Sequence, residues 1–354
     1  MIVNSTKSRF SAVFFLFLIL SISSSGMAQT CQDYSDYIHV IGALYYDYSG
    51  PASPGTENLL VNSGDVVCAT MGCYLGVMDV SVPEMPEEAG LVRLFSSGVW
   101  EEVFGLAFYG DYVLVNSSSL FTVVQVNNIS EPSVVGTLAL DQTYGRGDIA
   151  VVGDHAVVIR GGDELAVVDL TTPSSPSLAY TTTAPGSVYC LGQSGNYVLM
   201  SVSGPALEIY DFSNPLAPSF EGSTPLLSSA YDMAVEGNLA LFLQASEHQI
   251  ELVDITTSVS PASIGSMLLP QESDPQYIDA DGTTAVVRGY NGQMLVVDIQ
   301  DPTDPLLTAT SSTSGYGNSM AVSGDLVFLG GSPMLTVMDL ANRRDAPVTA
   351  EFGA

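Results

Sequence analysis

Basic side chains are what this sequence of 354 residues has least of: 8 Lys+Arg stand against 38 Asp+Glu, for a net charge of −30. Lys7 is the sole lysine. Beyond Arg9 the positive side chains are six arginines: Arg93, Arg146, Arg160, Arg288, Arg343 and Arg344. A protein that tracks a phosphate backbone needs a basic stripe, so nucleic acid is excluded as a partner. The same shortage argues against docking on an anionic membrane surface. Histidine is also scarce; His39, His155 and His248 fall far apart and no motif links them. There is no Gly-x-Ser-x-Gly elbow, phosphate loop, dinucleotide fingerprint or EF-hand loop, so no catalytic residue is assigned and no cofactor or metal is expected. The acids do not signal disorder, because 46% of the residues are hydrophobic and only 13% charged.

Long apolar runs are missing as well, apart from Phe10 to Ile22. That run follows Lys7 and Arg9 and precedes Gly26-Met27-Ala28, so residues 1–28 read as a cleaved secretory signal. It is short for a membrane span of about 20 residues. The expected product is exported and soluble, at the cell surface, in the periplasm or outside the cell, without membrane insertion. Export permits disulfides. Among Cys31, Cys68, Cys73 and Cys190, the pair Cys68 and Cys73 flanks a turn-like Ala-Thr-Met-Gly and could face across a hairpin. The alternative is that Cys68 is a small core hydrophobe.

What the chain does have is an internal repeat. A strand-like motif recurs as LGVMD to Asp79, FTVVQ to Gln125, LAVVD to Asp169 and LEIYD to Asp211, then IELVD to Asp254, MLVVD to Asp298 and LTVMD to Asp339. Successive copies lie 41 to 46 residues apart, and the turn glycines Gly64, Gly110, Gly153, Gly195, Gly237, Gly282 and Gly324 keep step. Each copy reads as four strands: two apolar runs about the glycine turn, the motif strand, and an outer strand opened by proline. Large residues recur four positions either side of the glycine, and small ones three before it. Asp279 is the exception in the small column. Such columns suit strands buried on both faces near an axis. The acids Asp79, Asp169, Asp211, Asp254, Asp298 and Asp339 are expected to form Asx-turns, with proline fixing φ nearby.

Seven units of four strands predict an all-β, seven-bladed β-propeller over residues 51–354, with a β-solenoid as the alternative. The recurring "apolar-x-Val-apolar-Asp, Ser/Thr-x-Pro-x-x-Pro" signature resembles the LVIVD-repeat family of secreted β-propellers, with Asp211-Phe-Ser-Asn-Pro215 its nearest copy. Gln125, the displaced Pro261 and Ala341-Asn-Arg-Arg depart from it. The resemblance implies the fold; it carries over no catalytic residue and no defined ligand. Within the 29–50 segment, Tyr37–Tyr46 reads as an outer strand that closes the ring, either beside Pro347–Phe352 or in place of the last blade's own outer strand.

Segments leading into the innermost strands meet at one mouth of a propeller channel. They carry Trp100 with Glu101, Glu102 and Phe104; Tyr144, Arg146 and Asp148; Tyr189; Tyr231 with Asp232; Tyr277; and Tyr316. Aromatic faces with scattered carboxylates suit sugars, peptides or cations. The competing reading wedges these rings between blades, and Glu101-Glu102 reads as solvated loop charge. The expected function is a monomeric interaction or scaffold protein that binds a protein or glycan through its face, without catalysis. The alternatives are a small-ligand receptor at the aromatic mouth and a metal-dependent hydrolase, lyase or lactonase built on Asp148, Asp232 and Asp279.

Overall fold

The computed structural model of the chain describes residues 38–44, 56–61, 64–96, 101–140, 148–312, 319–331 and 335–340. The signal-like segment, Trp100, Tyr144, Arg146, Tyr316 and Pro347–Phe352 lie outside them. Seven antiparallel four-stranded sheets make up the fold, one per repeat. Blade 4 shows the pattern: Val188–Ser194 innermost, then Tyr197–Val202, Ala206–Asp211 and the outermost Ser219–Pro225. Blades 1, 2 and 3 run over 56–93, 103–139 and 149–183. Blades 5 and 6 run over 232–268 and 275–312. In blades 2 to 7 the turn glycine closes the innermost hairpin in the left-handed region, with φ of 55° at Gly110 and 59° at Gly195, where a side chain would be strained.

Blade 7 has innermost Ser319–Ser323, then Leu326–Gly330 and Leu335–Asp339; its outermost strand is His39–Leu44, from the other end of the chain. That strand pairs antiparallel with Leu335–Asp339, His39 opposite Asp339 and Leu44 opposite Leu335. Each innermost strand touches that of the next blade, and Thr56–Val61 touches Ser319–Ser323, so the array is a closed ring and not a solenoid.

The core is divided among the blade interfaces. Seven buried clusters occur, each drawing on two adjacent blades; one joins Val67, Ala69 and Met78 of blade 1 to Phe328, Leu335 and Val337 of blade 7. Alternate side chains of a middle strand feed opposite interfaces, as Val113 and Val115 face blade 1 while Leu114 faces blade 3. This is why the motif strands read as unbroken apolar runs.

The lower face collects the glycine turns and the Asx-Pro turns. Asp79, Asp169, Asp211, Asp254 and Asp298 each accept, through Oδ1, the N–H two residues on, at 2.7–2.9 Å. Asp339 has its corresponding partner position outside the described residues. Where Gln125 replaces the acid, Asn128 still accepts from Ser130 at 2.9 Å. The outermost strand bulges in every blade, and a glycine commonly pairs beside the bulge: Gly90, Gly136, Gly222, Gly265 and, in the closing strand, Gly42. A Cβ at any of these would run into the backbone of the next blade's turn, as Gly136 would at Pro173 and Gly42 at Pro83 of blade 1.

The expected disulfide is not formed. The turn falls at Gly72-Cys73, so the register sets Val77, not Cys73, opposite Cys68. Cys68, Cys73 and Cys190 are free thiols. Burial pushes the Cys68 thiol up to about 12, which leaves it an inert core residue.

Candidate functional site

The upper face is where the chain crosses from each outermost strand to the next innermost strand, and where second and third strands are joined. Most expected ligand residues map here, in two different roles. The carboxylates turn inward on the ring itself. Innermost strands have no sheet partner on their channel side, so their channel-facing N–H groups need acceptors. The N–H of Leu191 in blade 4 donates to Asp148 Oδ2 of blade 3 at 3.0 Å. Ile278 of blade 6 donates to Asp232 Oδ2 of blade 5 at 2.8 Å. Val322 of blade 7 donates to Asp279 Oδ2 of blade 6 at 2.7 Å, and Gly324 to Asp281 Oδ2 at 2.7 Å. Each acid sits one position earlier, relative to its own turn glycine, than the residue it receives from. They are ties between blades.

This corrects the reading of the three acids Asp148, Asp232 and Asp279 as a metal set. Each is committed to a different neighbouring strand, and among the described residues no group of three His, Cys, Asp or Glu side chains could hold a metal ion. Desolvation pushes the Asp279 carboxyl up to about 6; hydrogen bonds from Val322 and Ala280 oppose it, and the charges of Asp281 and Glu236 add to it.

The aromatic residues behave differently. Tyr189 occupies the bulge between Val188 and Cys190 at the start of its strand, where its side chain is re-aimed. Its ring meets that of Tyr231, the centroids 4.9 Å apart at 49°. The two rings bridge blades 4 and 5 at the upper face, and Tyr231 stays 42% exposed. Leu227, 63% exposed, lies in the same crossing segment, and Tyr290, 51% exposed, caps a hairpin on this face. Tyr277 is half-buried in blade 6, and its phenol lies near the Arg288 guanidinium. Glu102 is exposed, and its backbone N–H and C=O bond Ser118.

Several residues of this face were not legible from composition. Glu101 is not solvated loop charge: it accepts from Ser117 Oγ at 3.0 Å, Ser118 Oγ at 2.8 Å and Ser119 N at 3.0 Å, and also from Ser119 Oγ. Desolvation raises its carboxyl, but these four bonds outweigh it and hold the group below the usual range. The Ser117-Ser118-Ser119 run at a hairpin tip was the available signal. Glu251 is fully buried in blade 5. It accepts from Leu227 N at 2.8 Å, Gln244 Nε2 at 2.6 Å and Ser263 Oγ at 2.7 Å, so it anchors the segment that presents Leu227. His155 stands opposite Asp169 at the lower end of its strand and is half-buried.

The LVIVD repeat family model matches residues 146–183 and 185–224. No curated protein matches the chain. Solved structures similar to it include the computationally designed Ika8 protein, with a TM-score of 0.58, 12% identity, and coverage of 85% of this chain and 99% of that one. BamB from Moraxella catarrhalis gives a TM-score of 0.55 at 11% identity, covering 86% and 98%. Raptor from Chaetomium thermophilum gives 0.66 at 9% identity, and there the match covers 86% of this chain but 29% of the other. At these identities the likeness is one of fold. Among the described residues no helix is long and apolar enough to cross a membrane.

Proposed function

We propose, from the premise that this chain is an LVIVD-repeat β-propeller, that it is an exported, monomeric scaffold that binds a protein or glycan through its upper face, without catalysis. The observation that carries this reading is the Tyr189–Tyr231 pair with its exposed ring. The lower face also exposes apolar side chains, Val82, Met85, Leu216 and Val259, but these belong to the repeated turns that build every blade. The tyrosine pair breaks the repeat, so the fold does not require it. Rigid, amphipathic rings supply contact area at little entropic cost and suit a peptide or a sugar ring alike. With Asp148, Asp232 and Asp279 tied to backbone N–H groups, binding is favoured over metal-assisted hydrolysis.

Export rests on residues 1–28, and N-terminal sequencing of secreted material should begin at Gln29. For the face, immobilised protein is challenged with a set of exported proteins and a glycan panel. The wild type should retain a partner, and the Tyr189→Ala, Tyr231→Ala double variant should bind it at least about tenfold more weakly, given that an aromatic anchor contributes more than 1 kcal/mol. Equal binding by the double variant, or capture of nothing, overturns the reading.

A further inference from the structure

Arg288 is the one arginine among the described residues that is buried, at 3% exposure. The others have ordinary surface roles: Arg93 donates to Phe95 O at 2.8 Å and lies over the Tyr74 ring, and Arg160 pairs with Glu164 at 3.4 Å. Arg288 is the penultimate residue of the second strand of blade 6, Thr284–Gly289, and reaches into blade 7. Its Nη1 donates to Ser319 O at 3.1 Å and to Gly330 O at 3.2 Å, while its Nε has no hydrogen-bond partner. Beside it, the buried Ser319 Oγ is also without a partner. No ion pair joins the guanidinium to an acid among the described residues. The sequence on either side of Ser319 and Gly330, 313–318 and 332–334, contains no Asp or Glu.

A blade tie does not need this charge. At the corresponding position of blade 4, Ser201 makes the same kind of contact, its Oγ donating to Ala230 O of blade 5 at 2.9 Å. A guanidinium without a counter-charge is costly to bury, and an unmet Nε adds to the cost. Burial lowers its pKa to about 10, with the nearby Tyr277 acting against the shift, so the group stays positive at neutral pH. With Nη1 held by two carbonyls, the unpaired side of the buried fork is the Nε edge, whose donors match the two oxygens of a planar carboxylate. Ser319 Oγ supplies a further donor, and the half-buried Tyr277 pairs with Arg288 from the innermost strand of the blade.

We propose that Arg288, with Ser319, forms an anion site at the blade 6–blade 7 junction that takes the single carboxylate of a small molecule reaching it from the channel. A polyanion is disfavoured, because the rest of the chain carries a large excess of acid. The site does not rest on the tyrosine pair of blades 4 and 5. The test is titration calorimetry on the full chain at matched ionic strength, with sodium galacturonate, sodium acetate, galactose and sodium sulfate as probes. Saturable one-to-one binding of galacturonate and acetate, with galactose silent, is the expected result. Arg288→Met should weaken galacturonate by roughly tenfold to a hundredfold, as for loss of hydrogen bonds to a charged group. Ser319→Ala, which leaves the charge and the Nη1 bonds in place, should weaken it by a few-fold and guards against misfolding of the first variant. Absence of carboxylate binding, a preference for sulfate alone, or galacturonate binding undiminished in a folded Arg288→Met protein overturns the proposal.

Discussion

Single residues carry two opposite kinds of acid in this ring. The turn acids Asp79, Asp169, Asp211 and Asp254 are lowered by hydrogen bonds from the residue two places on. Their stabilising effect is present above the unfolded pKa and is lost as pH falls through the folded one. Asp211→Ala should therefore cost about 1 kcal/mol in urea denaturation at pH 7, and Asp211→Asn less, because asparagine forms the same turn. Asp279 has the opposite sign. Its folded pKa is raised from 3.8 to about 6, so the folded protein binds the proton more tightly than the unfolded chain. Its contribution to stability grows as pH falls through about 6 toward 4. From pH 7 to 4.5, wild type should gain about 2 kcal/mol relative to Asp279→Asn, at roughly 1.4 kcal/mol per pKa unit. A flat difference across that range would show that the carboxyl is not desolvated. The turn acids were readable from their repeat; the role of Asp279 was not. Its position showed only as an anomaly in a small-residue column, and which N–H it meets depends on a neighbouring blade 43 residues away.

At the scale of strands and turns, the repeat phase fixed where each hairpin and each bulge falls, because every blade solves the same packing problem. The glycine beside the outer bulge is the sharpest case. Gly136 faces Pro173 and Pro176 of the next blade, and a Cβ has no room there. Gly136→Val should lower stability by roughly 1–3 kcal/mol, the usual cost of overpacking, and chemical denaturation measures it. Tyr180 occupies the equivalent place in blade 3 and remains 38% exposed, so that junction tolerates a side chain and the Tyr180→Gly change should be far milder. Sequence reasoning failed where it treated residues near a turn as if they faced one another. Cys68 and Cys73 lie close in sequence, yet the hairpin reverses two residues later than a pairing of the two would need, which puts Cys73 in the turn itself.

Across the whole molecule, the shortage of bases is mostly architecture: acids are written into turns and blade ties, while few positive side chains offset them. A net charge of −30 repels itself in dilute buffer, and salt screens it over about 10 Å at 0.1 M. The melting temperature should thus rise between 10 mM and 1 M sodium chloride; a fall would mean that ion pairs dominate instead. The fold was legible because its signal is repeated seven times. The upper face was legible only as a set of aromatic residues, since function there departs from the repeat and each departure occurs once. Tyr189 and Tyr231 were found together, whereas Glu101, Glu251 and Arg288 were hidden by ordinary-looking contexts. Amide hydrogen exchange of the propeller with and without its captured partner bears most directly on the claim that this face binds. Protection concentrated at 188–191 and 226–232 is the predicted result; protection at the lower turns 80–86 and 212–218, with the upper segments unchanged, would contradict it.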